Sequence, residues 1–261
     1  PSRSLVHRVR PNACQGRVVS AETAERLEER IRQERLDRAR TARNPRDQKG
    51  GKGERSGSGV LVTNQGHVVT ARHVVDGCDA VSVHHPSGRQ NTARVLALHE
   101  KADLALLSSE LHQQPKVVLA PAESLERGAA LAVVGYPNMG RTAIRPLRSE
   151  ARFAAKRVVG DKNLKPALRI IFEGELRAGN SGGALVDGRG RLVGIVVAQL
   201  DTPAVFKKTG KLVQHIGIAE PLAAMRELFE DADVAIRSSS SAPASNRVEG
   251  AVYRITCYPR K

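Results

Sequence analysis

A serine flanked by glycines and followed at once by an apolar run is the part of this sequence best suited to chemistry. The stretch covers residues 176–186, and its centre reads Gly179-Asn180-Ser181-Gly182-Gly183. Glycine allows backbone angles closed to other residues and lets a ligand approach the main chain. A nucleophilic serine needs both, because its hydroxyl must project from a tight turn and neighbouring N–H groups must face the oxygen that becomes negative. A plain glycine-rich hairpin has the same composition, so the assignment depends on a base and an acid elsewhere in the chain.

A candidate base and a candidate orienting acid both lie upstream of this serine. Residues 58–75 read as strand, Asn/Gly turn, strand and a short helical turn that carries His73. Asp103 comes directly before an apolar run at residues 104–107. The chain order His73, Asp103, Ser181 is the order of the chymotrypsin-type triad and differs from the orders in α/β-hydrolases and subtilisins.

On these three motifs the chain resembles the trypsin-like serine proteases. The strongest likeness is to the bacterial HtrA/Deg branch, which favours short loops and an Asn before the serine, as at Asn180. The likeness covers about residues 56–230 and neither end of the chain. It implies an all-β, chymotrypsin-like fold of two six-stranded antiparallel β-barrels. Within a protease domain of residues 56–236, we expect the barrels at about 56–120 and 126–220, since turn residues punctuate short strands there.

The resemblance also implies a role for each site residue. Ser181 would be the nucleophile, His73 the base that takes its proton, and Asp103 the acid that fixes the histidine tautomer. The backbone N–H groups of Gly179 and Ser181 would form the oxyanion hole, with Asn180 shaping the loop. The other histidines lack a Cys or an acid at zinc-ligand spacing, so we expect neither a metal nor a cofactor.

Primary specificity is predicted from the position six residues before the nucleophile, which forms the pocket floor in trypsin-like proteases and is Glu175 here. A carboxylate there would favour Arg or Lys before the scissile bond through a charge-assisted hydrogen bond. The alternative is that loop length shifts the register and Glu175 faces water. Cleavage after small aliphatic residues, as in HtrA-type proteases, would then be expected. Val196, Ala198 and Gln199 should form the pocket wall under either reading.

Both ends of the chain differ in character from the protease domain. Residues 1–55 form a basic extension with one predicted helix at about 20–43 and a linker rich in Gly, Lys and Arg. That helix could pack on the protease, pair with a partner or regulator, or remain solvated, because its apolar stripe is narrow. Residues 237–261 read as a linker and short tail with one added strand at about 248–258, too short for the PDZ domain usual in HtrA proteins.

The segment before this tail predicts a short C-terminal helix from Pro221 to about Phe229, with the proline at its start. Just before Pro221, HtrA-type proteases usually have an apolar residue, and this chain has Glu220 instead. From the sequence alone the departure is small and has no assigned role.

Composition limits the partners and the compartment. The formal net charge is +15, which favours acidic partners. No aromatic residues are interleaved with the basic ones, so we expect a solvated basic surface and no specific nucleic-acid binding. No apolar run reaches the length of a membrane span, and no signal peptide is visible at the start. The resemblance implies a periplasmic or secreted protein, and the cytoplasm is left open because no signal peptide is visible. Three cysteines allow at most one internal pair, so cysteine usage does not fix the compartment.

Two classes of function follow from these observations. The first is a serine endopeptidase that cleaves a protein or peptide substrate through an acyl-enzyme intermediate. The second is a latent or non-catalytic protease-fold binding module whose basic ends dock an acidic partner. A complete set of triad residues favours the first.

Overall fold

The structure is a computed structural model that describes residues 53–112, 117–121, 125–138, 145–160, 165–199, 215–235 and 248–259. The chain divides into two units, residues 1–49 and 50–261, and every described residue belongs to the second. The helix predicted at about 20–43 therefore lies outside the described residues.

Strands dominate the described chain. In chain order they are β1 (Arg55–Leu61), β2 (His67–Ala71), β3 (Cys78–His84), β4 (Gln90–Leu98), β5 (Leu104–Ser109), β6 (Ala130–Gly135), β7 (Leu147–Val159), β8 (Ala167–Gly174), β9 (Ala184–Asp187), β10 (Leu192–Gln199), β11 (Ile216–Pro221) and β12 (Val252–Pro259). Two α-helices join them, α1 (Arg72–Val75) and α2 (Leu222–Asp231), and a 3-10 turn, Val248–Ala251, precedes β12.

The strands close into two antiparallel barrels. Neighbour order is β1-β12-β3-β4-β5-β2 in the first barrel and β10-β11-β8-β7-β6-β9 in the second. The predicted all-β fold of two six-stranded barrels is confirmed. Closure leaves neither sheet with an open edge. Helix α2 follows β11 and buries Leu222, Met225, Leu228 and Phe229, with Pro221 as the residue that caps its start.

The sixth strand of the first barrel comes from the far end of the chain. Strand β12 lies between β1 and β3, pairing Gly57 with Ile255 and Val81 with Cys257. The predicted range of 56–120 for this barrel lacked the strand, because a solitary alternating segment after a linker gives no sign of where it pairs. A disulfide, Cys78–Cys257, joins β3 to β12 with the two Cα atoms 5.5 Å apart.

The core is built almost wholly from Val, Leu, Ile and Ala, as the scarcity of aromatic residues requires. One set of buried side chains extends from the first barrel to α2, and a second fills the second barrel around Phe153, Ile170 and Phe172. β-branched residues suit these strands because they pack well on a pleated surface. In the described part of the chain no helix is long and apolar enough to cross a membrane.

Candidate active site

Asp103 holds His73 by both its ring and its backbone. Asp103 Oδ2 lies 2.6 Å from His73 Nδ1, and Asp103 Oδ1 accepts a hydrogen bond of 2.9 Å from the His73 backbone N–H. The Asp103 side chain is 10% exposed and that of His73 is 50% exposed. A buried carboxylate therefore orients a solvent-accessible imidazole, and the bond at Nδ1 fixes the tautomer that leaves Nε2 as the free acceptor.

The nucleophile loop is fixed to the first barrel through Ser58. The Ser58 backbone N–H donates to the Ser181 carbonyl at 2.7 Å. Ser58 Oγ donates to the Gly179 carbonyl at 2.7 Å and accepts from the Tyr136 N–H at 2.8 Å. Thr70 Oγ1 in turn donates to the Ser58 carbonyl at 2.6 Å. Because Ser58 is fully buried, these bonds form in a low-dielectric environment where they hold the loop firmly.

Two glycines show how closely the loop approaches the helix that carries His73. A Cβ atom at Gly57 would lie 2.7 Å from Val74 Cγ2 and 2.9 Å from the Ser181 carbonyl oxygen. Gly182 has φ +83°, and a Cβ there would meet the Ser58 carbonyl oxygen and Thr70 Oγ1. The absence of side chains at these positions therefore lets the serine turn and helix α1 pack against the same strand.

The Ser181 hydroxyl points toward strand β10. Ser181 Oγ donates to the Val197 carbonyl at 3.4 Å, and the described contacts include no hydrogen bond between it and His73 Nε2. In unliganded serine proteases such bonds are often long and tighten only with substrate. Within the described residues the N–H groups of Gly179 and Ser181 have no hydrogen-bond partner. Both N–H groups are thus unpaired within the part of the chain that the structure describes, as the predicted oxyanion hole requires.

The remaining predicted site residues lie in different environments. Asn180 is buried, and its carbonyl accepts from the Gly183 N–H at 2.9 Å, which closes the loop. Glu175 Oε1 is ion-paired with Arg177 at 2.8 Å, and the glutamate side chain is 60% exposed. Val196 is buried in the second-barrel core, and its carbonyl accepts from the Gly182 N–H at 2.7 Å.

Ala198 and Gln199 continue strand β10 beyond Val196. They pair with Ile218 and Gly217 of β11, after a register shift between Val196 and Ala198. Ala198 is partly buried. Strand β10 therefore passes directly beside the nucleophile loop, and Ala198 and Gln199, two of the predicted wall residues, lie at its C-terminal end.

Sequence reasoning assigned no role to two residues that the structure brings to the site. Ser58 is one, since in the sequence it is only one of the small residues in the Ser/Gly run at 56–59, and nothing there indicates that it is buried. Glu220 is the other: its Oε1 accepts from the Asp103 N–H at 3.0 Å. The only signal for Glu220 was the acid found where an apolar residue was expected.

Burial also shifts the pKa of a tyrosine next to the loop. Desolvation raises the pKa of Tyr136 to about 12, with a smaller contribution from Tyr253. The phenol therefore stays neutral at ordinary pH, and its hydroxyl reaches the Val252 carbonyl in β12 at 3.5 Å. This contact connects the start of the loop after β6 to the C-terminal strand.

Comparison with known proteins identifies the family. The family of trypsin-like peptidase domains matches residues 57–195, which is more than half of the chain. The chain belongs to this family. Among curated relatives, DegP of Salmonella typhimurium, a periplasmic serine endoprotease, is 33% identical over 150 residues, covering 55% of this chain and 30% of DegP. A probable periplasmic serine protease of the do/HhoA-like type from Haemophilus influenzae is 32% identical over 161 residues, covering 58% of this chain and 34% of that protein.

Solved structures agree with this placement. The HtrA-type protease AlgW with decapeptide has a TM-score of 0.57 and 26% identity, and the match covers 68% of this chain and 51% of AlgW. A serine endoprotease from Yersinia pestis shares the fold with a TM-score of 0.54 at 24% identity, over 67% of this chain and 57% of that one. The predicted membership of the trypsin-like serine protease family, of HtrA/Deg type, is confirmed. The chain spans about a third of the length of the two curated relatives.

Proposed function

We propose that this protein is a serine endopeptidase that hydrolyses peptide bonds through His73, Asp103 and Ser181. The observation that carries the proposal is the double contact of Asp103 with His73, at 2.6 Å to the ring and 2.9 Å to the backbone. A carboxylate that only capped helix α1 would need the contact with the His73 backbone N–H and not the contact with the His73 ring. The ring contact is the one that prepares a histidine to act as a base.

In this mechanism Ser181 Oγ attacks the scissile carbonyl while His73 Nε2 takes the hydroxyl proton. The C–O bond forms as the carbonyl π bond breaks, and its electrons become the oxyanion. His73 then gives its proton to the leaving amine, and the C–N bond breaks to leave an acyl-enzyme. Water repeats the sequence with His73 again as base, which releases the carboxylic acid and restores the serine.

Charge that develops on the carbonyl oxygen is stabilised by the N–H groups of Gly179 and Ser181. Their loop is fixed by buried hydrogen bonds from Ser58 and Val196. Donors that are already in place need no reorganisation at the moment of reaction, which is why one such donor is typically worth about 10²–10³ in rate. Asn180 contributes through its backbone, since its buried carbonyl closes the turn.

The substrate is a protein or a peptide, and we place the enzyme in the periplasm or outside the cell. DegP of Salmonella typhimurium is described as periplasmic, and the AlgW structure is described as being with a decapeptide. A disulfide between β3 and β12 fits an oxidising compartment. Docking of a regulator on the predicted N-terminal helix remains a proposal about residues outside the described part of the chain.

Labelling by a fluorophosphonate tests the proposal most directly, because only a serine with an aligned base reacts. We expect wild-type protein to be labelled and to cleave casein. Ser181→Ala should abolish labelling and lower cleavage by at least about 10⁴-fold. The matched control is Ser87→Ala, at an exposed turn serine, which should retain both activities.

A folded wild-type protein that is neither labelled nor active would overturn the proposal in favour of a binding module. Persistent cleavage by purified Ser181→Ala would overturn the assignment of the nucleophile.

A further inference from the structure

We propose that Glu220, paired with Arg169, is a positioning residue that fixes Asp103 for its work on His73. This inference rests on the proposed function for its consequence in catalysis, although the contacts that carry it are independent of any activity. Glu220 Oε1 accepts two hydrogen bonds, one of 2.7 Å from Arg169 Nε and one of 3.0 Å from the Asp103 backbone N–H. A single oxygen thus joins strand β8 to the residue that orients the base.

The ion pair lies where the second barrel meets the loop before β5. Glu220 is in β11 and Arg169 in β8, next to the paired residues Ala219 and Ile170. Ala219 belongs to the second-barrel core, whereas Ile218 belongs to the core that extends from the first barrel. Side chains alternate along a strand, so Glu220 shares the face of Ile218. Its carboxylate therefore points out of its own barrel and toward Asp103.

Arg169 contacts the same loop on its other side. Its Nη2 lies 3.5 Å from the Lys101 carbonyl, and its Nη1 donates to the carbonyls of Lys165, at 2.8 Å, and Val159. Both charged side chains are fully buried. Lys101 and Asp103 are thus contacted from the second barrel on both sides of Ala102.

The first barrel holds this loop by separate contacts. His99 Nδ1 accepts from the Ala102 N–H at 2.9 Å, and the Asp103 carbonyl accepts from the Arg72 N–H at 3.1 Å. Among the described residues, Glu220 supplies the one acceptor for the Asp103 N–H, which without it would be an unsatisfied donor in a partly buried site. Loss of the acceptor at position 220 should therefore let Asp103 shift while the rest of the loop stays in place.

Stability alone is a weak reason to bury this pair. Buried ion pairs can often be replaced by well-packed apolar residues at no cost in stability. Glu220 Oε2 also has no hydrogen-bond partner within the described part of the chain. A buried polar atom left unpaired is costly, so the carboxylate is not optimised for stability alone. Its other oxygen, Oε1, accepts the hydrogen bond from the Asp103 N–H, and we infer that this bond is the reason for a carboxylate at position 220.

The test compares two variants that share Arg169→Gln, so that neither retains a buried charge from the pair. R169Q/E220Q keeps an oxygen acceptor for the Asp103 N–H, and R169Q/E220L removes it. We expect R169Q/E220L to have kcat lower than R169Q/E220Q by about 10²-fold, a loss that a misplacement of about 1 Å can cause. We expect KM to stay within about threefold, because Asp103 does not bind substrate directly.

A spectroscopic readout separates positioning from activity. The proton on His73 Nδ1, bonded to Asp103, should give a proton NMR resonance far downfield of the amides. The resonance should persist in R169Q/E220Q and be lost or broadened in R169Q/E220L. Asp187→Asn serves as the control, since Asp187 accepts from Arg191 in a partly buried ion pair at the turn between β9 and β10. That variant should keep both kcat and the resonance.

Equal kcat and equal resonances in two folded variants would overturn the inference. If wild-type protein proves inactive, the proposed function fails, but the resonance still reports whether position 220 fixes Asp103. If the variants do not fold, hydrogen exchange in wild-type protein decides. The Asp103 amide should then be protected as well as the Ala102 amide, and rapid exchange of Asp103 alone would overturn the inference.

Discussion

The Ser58 backbone N–H donates to the carbonyl of Ser181 at 2.7 Å, which joins the two barrels at the proposed nucleophile. Because the bond is main chain to main chain, substitution of either side chain leaves both partners present. The side chain of Ser58 adds contacts to Gly179 and Tyr136. Barrel alignment and loop shape at this site therefore depend on the same buried residue.

The first prediction concerns the Ser58 hydroxyl. Ser58→Ala should lower the free energy of unfolding by about 2 kcal/mol, because it leaves the Tyr136 N–H and the Gly179 carbonyl without their partner. It should also lower kcat, since Gly179 carries a proposed oxyanion donor. Urea denaturation and steady-state kinetics measure the two effects. Ser56→Ala, at an exposed position whose Oγ reaches Ile255 at 3.3 Å, is the control and should change stability by less than about 0.5 kcal/mol. Equal stability of the two variants would contradict the prediction.

The second prediction concerns the disulfide that holds β12. Cys78 and Cys257 are separated by 179 residues, so the bond closes a long loop in the unfolded chain. Replacing both with Ser should lower the free energy of unfolding by about 2–5 kcal/mol. Thermal unfolding with and without reductant measures this difference. Cys14→Ser is the control and should leave the response to reductant unchanged. A double Ser variant as stable as oxidised wild type would contradict the prediction.

Much of this fold was predictable because individual strands and turns leave local patterns in the sequence. Alternating apolar residues, Asn/Gly turns and the glycine-flanked Ser181 each report on their own neighbourhood. The sequence therefore predicted the strands on either side of the Asn/Gly turn and the run at residues 104–107 close to β1, β2 and β5, and the order of His73, Asp103 and Ser181 indicated the family. These signals need no knowledge of which strands meet in space.

Two features depend on long-range pairing and could not be predicted in the same way. Strand β12 reads as an isolated alternating segment, and only its partners β1 and β3 show that it completes the first barrel. Glu220 and Arg169 read as two charges in apolar strands. Nothing local says that β8 and β11 bring them together, or that their common neighbour is Asp103.

The third prediction compares two glycines that have similar positive φ angles. Gly182 has φ +83° and Gly190 has φ +76°, but a Cβ at Gly190 has no atom within 4 Å, whereas one at Gly182 meets Ser58 and Thr70. Gly190→Ala should cost only the left-handed backbone strain, about 1–2 kcal/mol. Gly182→Ala should cost more than about 3 kcal/mol and abolish fluorophosphonate labelling, because the serine turn must move away from β1. Similar costs measured by urea denaturation would show that space at Gly182 is not limiting.

The fourth prediction concerns acid sensitivity. Burial, and then the nearby Arg254, lower the pKa of His84 from 6.5 to about 4. Arg254 Nη2 lies 3.1 Å from His84 Nδ1, so the neutral ring acts as acceptor. A lowered folded-state pKa means that the unfolded chain binds the proton more readily. The folded state therefore keeps its full stability above pH 6.5 and loses the contribution of His84 as pH falls toward about 4.

Denaturation measured across this range tests the effect. Because His84 is only partly buried, we expect the loss to be about 1–2 kcal/mol after allowance for screening. His84→Gln should remove that part of the pH dependence. The control is His112→Gln, at an exposed position, which should keep it. Identical pH profiles for wild type and His84→Gln would contradict the assignment.

The last prediction concerns primary specificity. The sequence predicted Glu175 as the acidic residue at the floor of the primary specificity pocket. In the structure its side chain is 60% exposed, and its carboxylate is paired with Arg177 at 2.8 Å. An exposed, already neutralised charge discriminates weakly among substrates, because an ion pair in water contributes about 0–1 kcal/mol. We therefore expect wild type and Glu175→Ala to cleave a peptide library after the same small aliphatic residues, as read by mass spectrometry. Arg177→Ala, which frees the carboxylate, is the matched variant. A preference for Arg or Lys in wild type that disappears in Glu175→Ala would instead establish Glu175 as the pocket floor.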